Sequence, residues 1–321
     1  MITTRPTLLI TCALPDATNT RAEREFAVRR KPPGVDVSTF LATEAAGADA
    51  ILCSPANRID AAIVGKLPPT LRVLGTFSVG YEHLDIAALH QAGIAIVNTP
   101  GVLSAATAEF TLLLLLAAAR RANEGERILR AGKWAGWSPA GALGTQLSGK
   151  NLGIFGMGRI GQTLAGIARA MGMAVHYRNR TRLPPNLEQN ATYHDDDESF
   201  LAASQCLALC APGGDATRHW LNAARIARLP AGAIIANAAR GSLIDDAALV
   251  AALQTGQVAA AGLDVFVAEP AVPAAYLALE NVVLTPHLGS ATAETRNAMG
   301  HLVLDGIEAV LAGKVPSNLV G

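Results

Sequence analysis

Hydrophobic positions along this chain fall into short runs separated by stretches with helical spacing. In the first hundred residues, runs at 7–11, 50–53, 73–77 and 94–98 read as strands with helices between them. That alternation predicts a parallel sheet flanked by helices. A long helix is expected over 104–130, apolar and alanine-rich at its start and charged at its end. Residues 132–149, rich in glycine and tryptophan, read as irregular. A second series opens at Asn151-Leu152-Gly153-Ile154-Phe155, with strands expected at 174–177, 206–210, 233–237, 259–263 and 282–284. A last helix is expected over 293–311, with no strand after it. Its natural place is back on the first domain, which makes that domain discontinuous.

Composition narrows the function. The chain has 321 residues, enough for two domains with ample core. Lys plus Arg (26) equal Asp plus Glu (26), so no global field draws nucleic acid or an anionic membrane, and neither is expected as a partner. The basic stretch 21–31 is interrupted by Glu23 and Glu25 and reads as a solvated helix face. Four cysteines are too few for a disulfide scaffold and suit a reduced, cytoplasmic protein. Cys206 and Cys210 bracket a buried run with no second cluster nearby, so no metal is expected. The opening residues lack the ordered regions of a signal peptide. The most apolar run, 112–119, is far short of the roughly 20 residues a bilayer needs.

Two segments carry chemistry. Gly156-Met157-Gly158-Arg159-Ile160-Gly161 follows an apolar strand and leads into a helical pattern over 162–171. The first glycine permits a tight turn, the second lets backbone approach a pyrophosphate, and the third allows close helix–strand packing. Helix N-terminal amides then face the phosphate charge. An NAD site commonly has an acid about 20 residues on, bonding the ribose 2′-hydroxyl. Here the region reads His176-Tyr177-Arg178-Asn179-Arg180-Thr181-Arg182, with three arginines and no acid. A guanidinium suits a 2′-phosphate. NADPH is therefore the expected cofactor, with NADH as the alternative carrier. Arg178 and Arg182 fit a plain solvated loop as well, and Asn179, Arg180 and Thr181 are the cofactor candidates.

The second segment is a set of three polar residues. Arg240 follows the strand 233–237, Glu269 follows the strand ending at Leu263-Asp264, and His287 follows Val282-Val283-Leu284 across Thr285-Pro286. All three fall at carboxyl ends of strands, where open α/β sheets place ligands. Reducing a 2-oxo acid needs its carboxylate held, its carbonyl polarised and a proton supplied. Arginine suits the first two tasks. A protonated histidine suits the third, and a carboxylate behind it favours the charged ring and fixes its orientation.

At these residues the chain resembles the D-isomer-specific 2-hydroxyacid dehydrogenase family. The likeness covers the glycine loop, Ala239-Arg240-Gly241-Ser242-Leu243-Ile244-Asp245, the stretch from Ala261 to Pro270, and Thr285-Pro286-His287-Leu288-Gly289-Ser290-Ala291-Thr292. It extends to Phe77-Ser78-Val79-Gly80-Tyr81-Glu82-His83-Leu84-Asp85 and Asn98-Thr99-Pro100-Gly101. The NADPH-dependent glyoxylate/hydroxypyruvate reductases look similar also from Tyr177 to Leu183 and from Trp134 to Pro139.

The resemblance implies an α/β fold of two Rossmann-like domains, flavodoxin-like and dinucleotide-binding, with parallel sheets and an active-site cleft. It implies a substrate-binding domain over 1–100 plus 290–321 and a dinucleotide-binding domain over 101–289, with a dimerisation arm near 120–149. The arm makes a homodimer the expected assembly, with Trp134 or Trp137 reaching the neighbouring active site or simply packing there. Arg240 would bind substrate carboxylate and carbonyl, His287 would be the general acid, and Glu269 its partner. Ser78, Val79 and Gly80 would hold the substrate from the other domain, the last two through backbone amides. Asp264 would contact the nicotinamide carboxamide; Ala211, Pro212 and Thr217 would lie along the cofactor. Ala238 and Ala239 would lie near the nicotinamide, Arg159 and Ile160 would cover the pyrophosphate, and Met157 and Gly289 would join the cofactor-binding set. Gly213-Gly214 departs from the bulky residue and threonine common after this proline, and puts side-chain contacts there in doubt. The acid at Glu269, where formate dehydrogenases of the superfamily carry an amide, argues against formate.

The implied activity is NADPH-dependent reduction of glyoxylate or hydroxypyruvate, with pyruvate a further candidate, to the D-2-hydroxy acid. Residues near Leu52, Cys53, Tyr81 and Trp137 would decide between these and 2-ketogluconate or a bulkier 2-oxo acid. A dinucleotide-sensing, corepressor-like scaffold is the alternative of another class. Such a scaffold would carry long tails or a docking extension, and the intact Arg240, Glu269 and His287 set favours catalysis.

Overall fold

The structure, a computed structural model, describes residues 5–321, so the first residues weighed above for a leader lie outside the described ones. The chain forms two compact units, Met1–Leu103 with Thr292–Gly321, and Ser104–Ala291.

The first unit opens with five strands in sequence: β1 (Thr7–Ile10), β2 (Ala27–Arg30), β3 (Ala50–Cys53), β4 (Val73–Thr76) and β5 (Ala95–Val97). Strands β3 and β4 are buried throughout, as expected where helices cover both faces of a parallel sheet. The second unit adds β6 (Asn151–Phe155), β7 (Ala174–Arg178), β8 (Thr192–His194), β9 (Cys206–Leu209), β10 (Ala233–Asn237), β11 (Val258–Leu263) and β12 (Val282–Leu284). Its sheet runs β12-β11-β10-β9-β6-β7-β8, every pair parallel. The first strand of that unit lies inside the sheet, and the chain winds outward to either side of it. The topological switch point, where such sheets bind dinucleotides, falls between β6 and β9. Helix Ser104–Ala119 buries Leu114, Leu115, Ala118 and Ala119 in the second unit's core.

The chain returns to the first unit through helix Ala293–Leu311 and ends in β13 (Leu319–Val320). The first sheet therefore reads β13-β5-β4-β3-β1-β2, with β13 antiparallel to β5. The helix lies hard against β4: a Cβ at Gly75 would stand 2.7 Å from Val303 Cγ2 and 2.9 Å from Ile307 Cδ1.

Three expectations need correction. The helix expected over 104–130 is two helices, Ser104–Ala119 and Ala122–Arg130, broken at Arg121, whose φ is +53°. Left-handed backbone at that residue cannot continue a helix. The basic stretch read as one helix face splits into helix Asp16–Glu25 and the edge strand β2. Strand β2 exposes arginines, as sheet edges commonly do. The last helix does have a strand after it, β13, only two residues long and too short to announce itself in sequence. Among the described residues no helix is long and apolar enough to cross a membrane. No group of three or more His, Cys, Asp or Glu there could hold a metal ion.

Candidate active site

Strands β10, β11 and β12 are neighbours in the sheet, and each releases one member of the polar set beyond its carboxyl end. His287 Nδ1 lies 2.8 Å from Glu269 Oε2. The Phe266 amide donates to Glu269 Oε1 at 3.0 Å. Burial works against the charged form of Glu269, but the bonds from His287 and Phe266, with the charges of His287 and Arg240, hold its carboxyl below the usual range. An ionised carboxylate can only accept, so Nδ1 of His287 carries the proton of this bond. Nε2 is then the nitrogen left for proton transfer. Both side chains remain partly open to solvent, at 43% and 37% exposure, so a small molecule can reach them.

Local backbone fixes these positions. His287 has a φ of +55°, a region costly for a residue with a Cβ. Asp264 holds it there. Its carbonyl accepts from the His287 amide at 2.9 Å. Its carboxylate accepts from Thr285 Oγ1 at 2.6 Å, Leu288 N at 2.7 Å and Gly289 N at 2.8 Å. Asp264 is fully buried, and burial pushes its carboxyl up against those bonds. This carboxylate, read above as a nicotinamide contact, also anchors the turn that carries His287 and Gly289.

Arg240 leaves β10 through a clamp that the sequence reading passed over. Asn237, fully buried, accepts from Ala239 N at 3.0 Å and donates through Nδ2 to the Arg240 carbonyl at 2.8 Å. An asparagine closing an otherwise apolar strand is the signal that could have found it. The clamp shapes residues 238–240, and Arg240 Nη1 donates to the Ala239 carbonyl at 2.6 Å. Gly241 follows because nothing larger fits: a Cβ there would stand 2.2 Å from the Phe266 carbonyl carbon. The Glu269 loop therefore lies directly against the Arg240 loop.

Further along the same sheet edge lies the glycine loop. Gly156 has a φ of +96°, and a Cβ there would meet Ala211 N at 2.4 Å. At Gly161 a Cβ would meet the Gly156 carbonyl at 2.6 Å, whereas at Gly158 it would meet nothing within 4 Å. Two glycines thus serve packing, and the middle one leaves open space over the N-terminus of helix Arg159–Ala170. No side chain caps that end, so first-turn amides remain for a phosphate. These residues fit a dinucleotide. Asn179 Oδ1 accepts from Met157 N at 2.7 Å, so this predicted cofactor residue braces the loop itself. Ala211 is buried under Gly156, and Thr217 Oγ1 donates to the Pro212 carbonyl at 2.8 Å.

The three arginines at and just past the end of β7 divide sharply. Arg178 pairs with Asp197 at 3.2 Å, and Arg225 holds the same carboxylate at 2.7 Å. Arg182 forks onto Glu188 at 2.8 and 3.0 Å, where the Tyr177 hydroxyl also donates at 2.6 Å. Arg182, then Tyr177, keep the Glu188 carboxyl low. Exposed Arg180 makes no hydrogen bond or ion pair among the described residues, and Thr181 beside it is exposed.

In the first unit, Ser78, Val79 and Gly80 form a turn just past β4. Thr99 N donates to the Ser78 carbonyl at 2.9 Å, and Asn98 Nδ2 to the Val79 carbonyl at 2.8 Å. The Val79 and Gly80 amides find no acceptor among the described residues.

A doubly wound sheet bearing this loop and these three side chains at one edge defines a dinucleotide-dependent oxidoreductase. Residues 112–289 match the profile of the D-isomer specific 2-hydroxyacid dehydrogenase, NAD binding domain. A glycerate dehydrogenase from Hyphomicrobium methylovorum is 39% identical over 95% of this chain and 96% of its own. A glyoxylate reductase from Aeropyrum pernix is 41% identical, covering 87% of this chain and 85% of its own. Among solved structures, an NADPH-dependent glyoxylate/hydroxypyruvate reductase from Sinorhizobium meliloti, crystallised with NADP and malonate, superposes with a TM-score of 0.90. It is 32% identical, over 99% of this chain and 97% of that one. The chain belongs to the D-isomer specific 2-hydroxyacid dehydrogenase family. It is an oxidoreductase that uses a nicotinamide cofactor.

Proposed function

We propose that the protein reduces a small 2-oxo acid, glyoxylate or hydroxypyruvate, to the D-2-hydroxy acid with NADPH. The observation that carries this reading is the His287–Glu269 pair at 2.8 Å, set one strand from Arg240. The names of the relatives, glyoxylate reductase and glycerate dehydrogenase, support the substrate class. When bound, the reduced nicotinamide supplies the hydride that goes to the carbonyl carbon. Arg240 binds the acid's carboxylate and polarises its carbonyl, each charged hydrogen bond contributing about 1.5–3 kcal/mol. His287 gives its Nε2 proton to the carbonyl oxygen as negative charge develops there. Glu269 holds the ring by Nδ1 and stabilises the imidazolium before transfer. The Val79 and Gly80 amides take the carboxylate on the first unit's side, beside Ser78.

The NADPH preference rests on Arg180, left unpaired while its two arginine neighbours are engaged. The first unit would bind substrate and the second the cofactor. Cytoplasmic residence suits four cysteines that are all free. A homodimer would cover the arm, where Trp134 and Trp137 are 63% and 84% exposed. The direct test measures initial rates on glyoxylate and hydroxypyruvate with NADPH and NADH, alongside pyruvate, 2-ketogluconate and phenylpyruvate. NADPH-dependent turnover of the two small acids supports the reading. Activity confined to a larger acid overturns the substrate, and cofactor binding without turnover of any acid overturns the enzyme assignment.

A further inference from the structure

We propose that His83, Thr76 and Ser78 form a directional hydrogen-bond relay that positions the carboxylate-binding turn, with His83 as its positioning residue. The proposal rests on the reading that the Val79 and Gly80 amides hold the substrate carboxylate. Proton counting sets the direction. A hydroxyl has one proton to give. Ser78 Oγ gives its proton to the Gly80 carbonyl at 2.6 Å. The 2.8 Å contact between Thr76 Oγ1 and Ser78 Oγ is therefore donated by Thr76. Thr76 Oγ1 can then only accept in its 3.0 Å contact with His83 Nε2. His83 must carry a proton on Nε2.

Burial makes the chain firm. Thr76 is fully buried and Ser78 is 8% exposed, so water competes poorly for these bonds. The thiol of Cys53 lies 4.0 Å from His83 Nε2. Burial raises that thiol far above its usual range, so it stays neutral and offers no strong rival acceptor.

The relay matters because a trans peptide points its carbonyl and its N–H in opposite directions. Thr99 draws in the Ser78 carbonyl, which turns the Val79 amide outward. Asn98 draws in the Val79 carbonyl, which turns the Gly80 amide outward. Ser78 draws in the Gly80 carbonyl, which turns the Tyr81 amide away from Ser78. Each of these amides is thereby turned away from the group that holds the preceding carbonyl, and left for an anion. Without the relay, the peptide after Gly80 has no tether on its carbonyl.

Two measurements test this. In wild-type protein labelled with ¹⁵N-histidine, long-range ¹H–¹⁵N correlation, assigned by loss of one signal in His83→Gln, should show His83 protonated at Nε2. A neutral ring protonated only at Nδ1 overturns the relay without reference to activity. Ser78→Ala and His83→Leu should each raise KM for glyoxylate and Ki for oxamate about fivefold or more, as expected for a lost buried hydrogen bond. NADPH affinity should hold, and His83→Gln, whose amide can still donate to Thr76, should stay near wild type. Unchanged KM and Ki in both disruptive variants overturn the relay while the function stands. NADPH affinity falling in step with glyoxylate affinity marks general damage and also overturns it. Wild-type protein that neither turns over a 2-oxo acid nor binds oxamate overturns the functional reading, and the relay's assigned role with it.

Discussion

Replacing Arg180 with alanine should weaken NADPH binding and leave NADH nearly untouched. The magnitude follows from how the arginines at and just past the end of β7 are spent. Arg178 is bound to Asp197 at 3.2 Å, and that carboxylate is shared with Arg225. Arg182 is forked onto Glu188 at 2.8 and 3.0 Å. Only Arg180 keeps its donors for a ligand. A charge-assisted hydrogen bond contributes about 1.5–3 kcal/mol, and solvent at this exposed site favours the lower end. The dissociation constant for NADPH should therefore rise about 10- to 100-fold, since each 1.4 kcal/mol is a factor of ten. NADH, with a hydroxyl where NADPH has the phosphate, should change far less. Titrating each dinucleotide into both proteins by calorimetry reads this directly. The wild-type preference should also shrink as salt is added, because the contact is solvent-exposed. Arg182→Ala is the contrasting variant: it strips Glu188 of its cation and should lower the melting temperature while sparing the NADPH:NADH ratio. Equal weakening of both dinucleotides by Arg180→Ala, or none, would refute the reasoning.

Other consequences can be checked the same way. Arg240→Lys loses the fork geometry, so turnover of glyoxylate should fall at least about a hundredfold while NADPH binding stays within about threefold; near-native turnover would remove Arg240 as the carboxylate anchor. Gly241→Ala places a Cβ 2.2 Å from the Phe266 carbonyl carbon and must push the Glu269 loop away. Turnover should drop about tenfold or more, and a wild-type rate would show that this loop does not set the chemistry. Reduction needs His287 protonated and oxidation of the hydroxy acid needs it neutral, so the two directions should respond oppositely to pH. Glu269, held below the usual carboxylate range, stays charged at neutral pH. Its contribution to the folded state is present at neutral pH and disappears only as acid protonates it at low pH. Matching pH profiles in the two directions would exclude His287 as the acid.

Strands β3, β6, β10 and β12 could be read to their end residues because each is a buried apolar run bounded by polar or turn residues. The edge strands β2 and β8 could not, since Ala27–Arg30 and Thr192–His194 are short and largely polar, pairing on one side only. At the candidate site, Arg240, Glu269 and His287 stood out because residue type and strand-end position pointed the same way. Asn237, Thr76 and His83 did not, because their roles lie in hydrogen bonds to a backbone whose path the sequence does not state. The partition of the three arginines was equally hidden: Asp197 and Glu188, which claim two of them, lie 19 and 6 residues further along.

The first unit is completed by a segment far along the chain from its opening strands. Its sheet lacks β13, and the Val303–Ile307 surface that covers Gly75 is missing, until residues 292–321 have been synthesised. The second unit is one uninterrupted segment and can fold before residues 292–321 are available. A nascent chain would therefore possess its glycine loop and its histidine before it possessed a finished carboxylate turn. For that interval the apolar face of β4 stays bare, which makes the unclosed first unit the stretch a chaperone has most reason to hold.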